Sequence, residues 1–144
     1  MTSDEPEKNK SIIHPPPTVP IGKPKVGSYS DLLVWQKAIT LVKKTYQITG
    51  DFPRDERFGL TSQMRRAAVS IPSNIAEGQA RKTTAEFVQF LSQAEGSAAE
   101  LDTQFVLAVE LGYCGRVDIA STVELISEVK KMLNGLRRAL LKAA

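Results

Sequence analysis

Cysteine and histidine are almost missing from this chain. A single Cys114 cannot form an internal disulfide, which fits a reducing compartment. A single His14, set among prolines, leaves no His/Cys cluster of the kind that holds zinc. No apolar run approaches the roughly 18 residues that a membrane helix needs. The first ten residues mix acids with lysines and lack an apolar stretch, so no secretory signal is expected. Aromatic residues make up only 6% of the chain, and no aromatic platform of the type used by single-strand nucleic-acid binders is visible. These absences exclude the secreted, membrane-spanning and zinc-site classes. A cytoplasmic protein without cofactor, metal or membrane contact is expected.

What is present is one domain's worth of core. Of 144 residues, 42% are hydrophobic, enough to bury a single interior. Six of the eight prolines fall in the first 24 residues, and apolar residues are sparse there. Such a segment cannot offset its ordering entropy, so residues 1–27 are expected to be a disordered, proline-rich arm. Residues 28–144 then form the folded domain.

From Ser30 onward the apolar spacing is helical throughout, and no stretch alternates with period two. Helix 1 is predicted from Asp31 to Thr49, with Ser30 as its cap and Gly50 and Pro53 ending it. Leu32, Trp35, Ile39, Val42 and Tyr46 make one stripe; Val34, Ala38, Leu41 and Ile48 make a second beside it. The apolar arc spans about 200°, against the ~100° one core face requires. The second side is therefore expected to face another subunit, with Val34, Leu41 and Ile48 at the interface. Helix 2 is predicted from Arg54 or Arg57 to Glu77, stopped by Gly78 and interrupted by Pro72. Its polar face (Ser70, Ser73, Asn74) is placed to satisfy the carbonyl that Pro72 frees. Helix 3 opens on a capping box, Thr83 to Glu86, and ends at Gly112. Its small residues around Gly96 predict a close helix approach. Helix 4 starts near Arg116 or Val117 and runs almost to the end, with Ile119, Ile126, Val129 and Leu133 in its core stripe. Short connections favour antiparallel neighbours, so the fold class is all-α: an up-down-up-down four-helix bundle.

Catalytic constellations fail on residue type. Di-iron bundles need Glu-x-x-His pairs, and no histidine lies in the helices. Lys82-Thr83 lacks the glycine-rich turn of a phosphate loop. Cys114, in Gly112-Tyr113-Cys114-Gly115, has no histidine base and reads as part of an interhelix turn. No catalytic residues are assigned, and a non-enzymatic protein is expected.

The charge distribution says more. Four basic doublets stand on a small body: Arg65-Arg66, Arg81-Lys82, Lys130-Lys131 and Arg137-Arg138. They are the candidate nucleic-acid-binding residues. Glu86 to Glu110 holds five acids and no base, so pairing between neighbouring helices competes with that reading.

Several stretches together resemble one family. They are Asp31 to Ala38, Phe52 to Ala68, the most specific run Ser70-Ile71-Pro72-Ser73-Asn74-Ile75-Ala76-Glu77-Gly78, then Glu95 to Leu101 and Leu111-Gly112-Tyr113. In this order they resemble the four-helix-bundle proteins encoded in intervening sequences of bacterial 23S ribosomal RNA genes, over residues 29–142. Accessory variability determinants of diversity-generating retroelements are distant relatives of that family. The resemblance implies a homopentameric barrel, and makes structured RNA, or a nucleic-acid enzyme such as a reverse transcriptase, the candidate partner. It carries no catalytic residues with it. The expectation is a homo-oligomer that associates with structured RNA or other nucleic acid through repeated basic patches. The competing expectation is a protein-binding scaffold or accessory subunit without direct nucleic-acid contact.

Overall fold

The computed structural model describes Tyr29 and residues 32–143. The proline-rich segment 1–27 and the Ser30 cap lie outside the described residues. Four helices follow one another: α1 Leu33–Thr49, α2 Leu60–Gln79, α3 Thr84–Glu110 and α4 Arg116–Ala143. One 3-10 turn, Arg54–Glu56, precedes α2. Each helix packs on its neighbour in sequence, and α1 closes the bundle against α4. Lys37 meets Glu128 and Lys44 meets Ser121, so α1 and α4 run in opposite directions. Ser70 meets Ser97 while Gly78 lies against Phe87 and Phe90, so α2 and α3 do the same. The interior is apolar, built on Met64, Ile71, Ile75, Leu91, Leu101, Phe105, Ile126 and Leu133, all removed from water.

Helix α1 corrects one expectation. Val34 (4% exposed) and Leu41 (0%), assigned above to a subunit interface, are buried in the chain's own core with Ala38. Ile48 is half-buried and packs on that core, as do Leu32, Trp35 and Val42 from the other stripe. The reason is geometric. Helix α1 touches both α2 and α4, so a wide apolar arc is used within one bundle. Buried Thr45 and Thr49 widen it further, each hydroxyl donating to the carbonyl four residues back, at 2.9 and 2.8 Å.

Helix α2 starts at Leu60, later than its apolar spacing predicts, because residues 54–56 tighten into the 3-10 turn. Nor does Gly78 stop it: the helix continues to Gln79, and Gly78 is buried against α3. A Cβ there would fall 2.7 Å from Phe90 Cβ and 2.9 Å from Phe87 Cδ1. Close approach, rather than termination, requires this glycine. The expected close approach around Gly96 is present at Ala98 and at Ser97, which meets Ser70, though Gly96 itself has nothing within 4 Å of the site its Cβ would take. The close approach in α3 comes from fully buried Ala94 and Ala98. Pro72 is buried inside a continuous α2. Asn74 Nδ2 donates to the Ser70 carbonyl and to Ser70 Oγ, both at 2.9 Å, so its rescue goes to residue 70 and not to residue 68, four before the proline.

Helix α3 opens on the predicted Thr83 cap, with Glu86 returning to the threonine hydroxyl instead of its backbone N–H. Thr83 Oγ1 accepts from the Glu86 backbone N–H at 3.1 Å, while Glu86 Oε1 accepts from the Thr83 hydroxyl. It closes on Gly112, whose φ of 79° lets Tyr113 N–H reach the Ala108 carbonyl at 2.9 Å.

Candidate nucleic-acid interface

The α1–α2 connection is tied down at several points. Phe52 is buried and its ring meets Tyr113, centroids 5.4 Å apart. The Glu56 carboxylate makes two bonds. Oε1 accepts from the Leu60 backbone N–H at 2.8 Å, capping α2, and Oε2 accepts from the Tyr113 hydroxyl at 2.6 Å. The tyrosine bond, then the backbone bond, hold the Glu56 carboxyl below the usual carboxylate range. The same bond raises the Tyr113 hydroxyl.

This anchored turn presents Phe58 outward. Its ring is 86% exposed, next to the α2 cap Gly59. The Arg57 guanidinium lies 5.0 Å from the Phe58 centroid. On the adjoining faces, Arg65 lies 4.4 Å over the Tyr46 ring. Arg65 Nε donates to Thr49 Oγ1 at 2.9 Å and its Nη2 to the Tyr46 carbonyl at 3.3 Å. Arg66 is exposed. Two shallow clefts of about 600 and 490 Å³ share Phe58, Ser62, Arg66 and Ser70 as walls. Among the described residues, none of Arg54, Arg57, Arg65 and Arg66 forms an ion pair, although Glu100 lines the second cleft. The patch is positive, partly aromatic and open.

The eight predicted basic residues do not form one surface. Neighbours on a helix are 100° apart, so each of the three helical doublets splits between two directions, while Arg81-Lys82 lies past the end of α2. Arg65 is braced on α1 while Arg66 stands free. Arg137 turns toward α3, donating from Nε to Glu95 Oε2 at 2.6 Å and from Nη2 to Asn134 at 2.8 Å. Glu95 raises the Arg137 pKa by that bond. Arg138 is exposed beside Lys142, and Lys131, two turns earlier on the same face, is exposed too, while Lys130 is half-buried. Arg81 pairs with Glu77 at 2.6 Å and its guanidinium sits 4.9 Å over Phe90, leaving Lys82 exposed. The Arg81-Lys82 end lies roughly 20 Å along α2 from Arg66. Sequence reasoning missed Arg54, Arg57 and Phe58. The signal was present in the run Arg54 to Phe58, but nothing in it showed that the ring would point outward.

Cys114 is half-buried beside Asp118. Desolvation, then the Asp118 charge, push its thiol upward, away from a reactive thiolate. Among the described residues, no group of three or more His, Cys, Asp or Glu could hold a metal ion, and no helix is long and apolar enough to cross a membrane.

Residues 30–135 match the model of one family, the 23S rRNA-intervening sequence protein. This chain belongs to that family. The match runs from the start of α1 into the last third of α4 and takes in every element of the patch. A crystal structure of an S23 ribosomal protein family member from Bacteroides thetaiotaomicron VPI-5482 has a similar fold, with a TM-score of 0.66 at 22% identity. The similarity covers 73% of this chain and 98% of that one. Among curated proteins, none matches this member of the family.

Proposed function

We propose that this protein acts by binding, not by catalysis, and that its ligand is RNA. The observation that carries the reading is the gathering of Arg57, Arg65 and Arg66 around one cleft at one end of the bundle, without carboxylate partners among the described residues. An unpaired guanidinium gains from phosphate contact and releases counterions when it makes one. The family's description, which places it in the intervening sequences of 23S rRNA, is consistent with an RNA ligand. Arg66, Lys82, Lys131 and Arg138 are the predicted residues that remain open to phosphate. Arg81 and Arg137 serve intramolecular pairs first.

We also propose that copies of the chain assemble in a closed ring, repeating the patch around an axis. Apolar surface for a second copy is found on α3, where Leu107 and Leu111 are exposed one turn apart. The exposed surface of α1 is poorer, because its arc is largely covered.

The test is fluorescence anisotropy of labelled structured RNA across a salt series, against duplex DNA of equal length, with light scattering on the same sample. Micromolar binding that falls steeply with salt is expected, together with a mass several times that of one chain. A second reading uses the same exposed Leu107 and Leu111 differently: the protein is an accessory subunit that docks another protein, such as a nucleic-acid enzyme. Absence of RNA binding at low salt favours that reading.

A further inference from the structure

The sequence shows no aromatic platform, but the fold builds one. Phe58 is the most exposed aromatic ring among the described residues, and it sits on an anchored turn. Phe52, Glu56 and Gly59 hold the segment on either side, so the ring costs little ordering on contact. Open clefts lie against it in two directions, each of a size to admit a planar base. Ser62 lines both, offering a hydroxyl, while Ser70 Oγ is already bonded to Ser97 and Asn74. Arg57 and Arg66 flank the ring, and neither is held by an acid among the described residues. An isolated apolar ring would suit many partners. A ring set among unpaired guanidinium groups suits a partner that is both flat and polyanionic.

We propose that Phe58 is a stacking platform for an unpaired nucleobase of RNA, with Arg57 and Arg66 holding the adjoining phosphates. The proposal rests on the RNA reading above and refines it: single-stranded loops or ends are bound in preference to paired stems. Paired bases cannot offer a free face to the ring, so they gain only the phosphate term.

Two labelled probes separate the outcomes: an RNA hairpin with an unpaired loop of roughly eight nucleotides, and a fully paired RNA duplex of equal charge. Phe58→Ala is expected to weaken loop binding about 5- to 150-fold, the usual effect of removing one stacked base contact. Duplex binding and the salt slope stay unchanged, and Phe58→Trp restores the loop preference. Arg66→Gln weakens both probes and lowers the salt slope by about 1. A ring this exposed can be removed without unfolding the bundle, which circular dichroism checks. If wild-type protein binds both probes and Phe58→Ala loses nothing on the loop, the platform is wrong while the RNA reading stands. If wild-type binds neither at low salt, the RNA reading falls and takes the platform with it. If Phe58→Ala lowers the mass seen in light scattering, the ring is a contact between copies and the platform is overturned.

Discussion

Tyr113 donates a 2.6 Å hydrogen bond to Glu56 across 57 positions of sequence. It joins the α3–α4 turn to the α1–α2 turn at one end of the bundle. Through Glu56, the same bond supports the cap of α2 and the turn that carries Phe58.

That bond predicts a pH dependence with a definite sign. The Glu56 carboxyl is depressed in the fold, first by Tyr113 and then by the Leu60 backbone N–H. Its stabilising contribution is complete above the ordinary glutamate pKa and is lost as pH falls through the depressed value. Tyr113 is raised, so its contribution is complete below the ordinary tyrosine pKa and is lost as pH rises through the raised value. Tyr113→Phe is expected to lower Tm at neutral pH. The gap from wild type should shrink toward both extremes. A gap constant from acid to alkaline pH, measured by differential scanning calorimetry, contradicts the assignment.

Two glycines predict opposite outcomes for the same substitution. Gly78→Ala must displace Phe90 or Phe87 and is expected to destabilise by about 1–3 kcal/mol, the usual overpacking range. Gly96→Ala meets nothing and gains helix propensity, for a stabilisation of up to about 1 kcal/mol. Urea denaturation of the pair checks both signs.

Gln104 is buried, at 4% exposure, and its Oε1 has no hydrogen-bond partner among the described residues. Its Nε2 makes only a long 3.4 Å contact with Glu100. Orphaned buried acceptors cost about 1–3 kcal/mol, so Gln104→Met, of similar volume, is expected to be neutral or stabilising. A fall in urea midpoint would show that Oε1 is satisfied in solution.

Arg137 and Arg66 should separate structural charge from binding charge. Arg137→Gln removes the partner of Glu95 and is expected to lower Tm while leaving the RNA salt slope in place. Arg66→Gln should do the reverse. Plots of log K against log salt for both variants, beside their melting curves, decide it. Equal slopes for wild type and Arg66→Gln would remove Arg66 from the interface.

Much of the fold was legible in the residues. Helical spacing predicts α2, α3 and α4 with their core stripes. The Thr83 cap and the Gly112 terminus follow from local chemistry, because a cap hydroxyl and a left-handed glycine act over three to five residues. Phe58 was not legible, because a residue beside a helix cap can face in or out. Its direction depends on Phe52 and Glu56 being tied to Tyr113, which comes from a distant part of the chain.

Periodicity and composition are local properties, and they were enough for the helical class, the four-element order and the absence of histidine from the helices. How surfaces are used depends on packing between distant segments. It placed the Val34–Leu41 stripe inside, because α1 contacts two helices at once. It turned Gly78 from a stop into a contact, because α3 passes within van der Waals distance. It turned Arg65, Arg81 and Arg137 onto neighbouring groups and left Arg66, Lys82, Lys131 and Arg138 to solvent, because only the packed bundle shows which directions are closed.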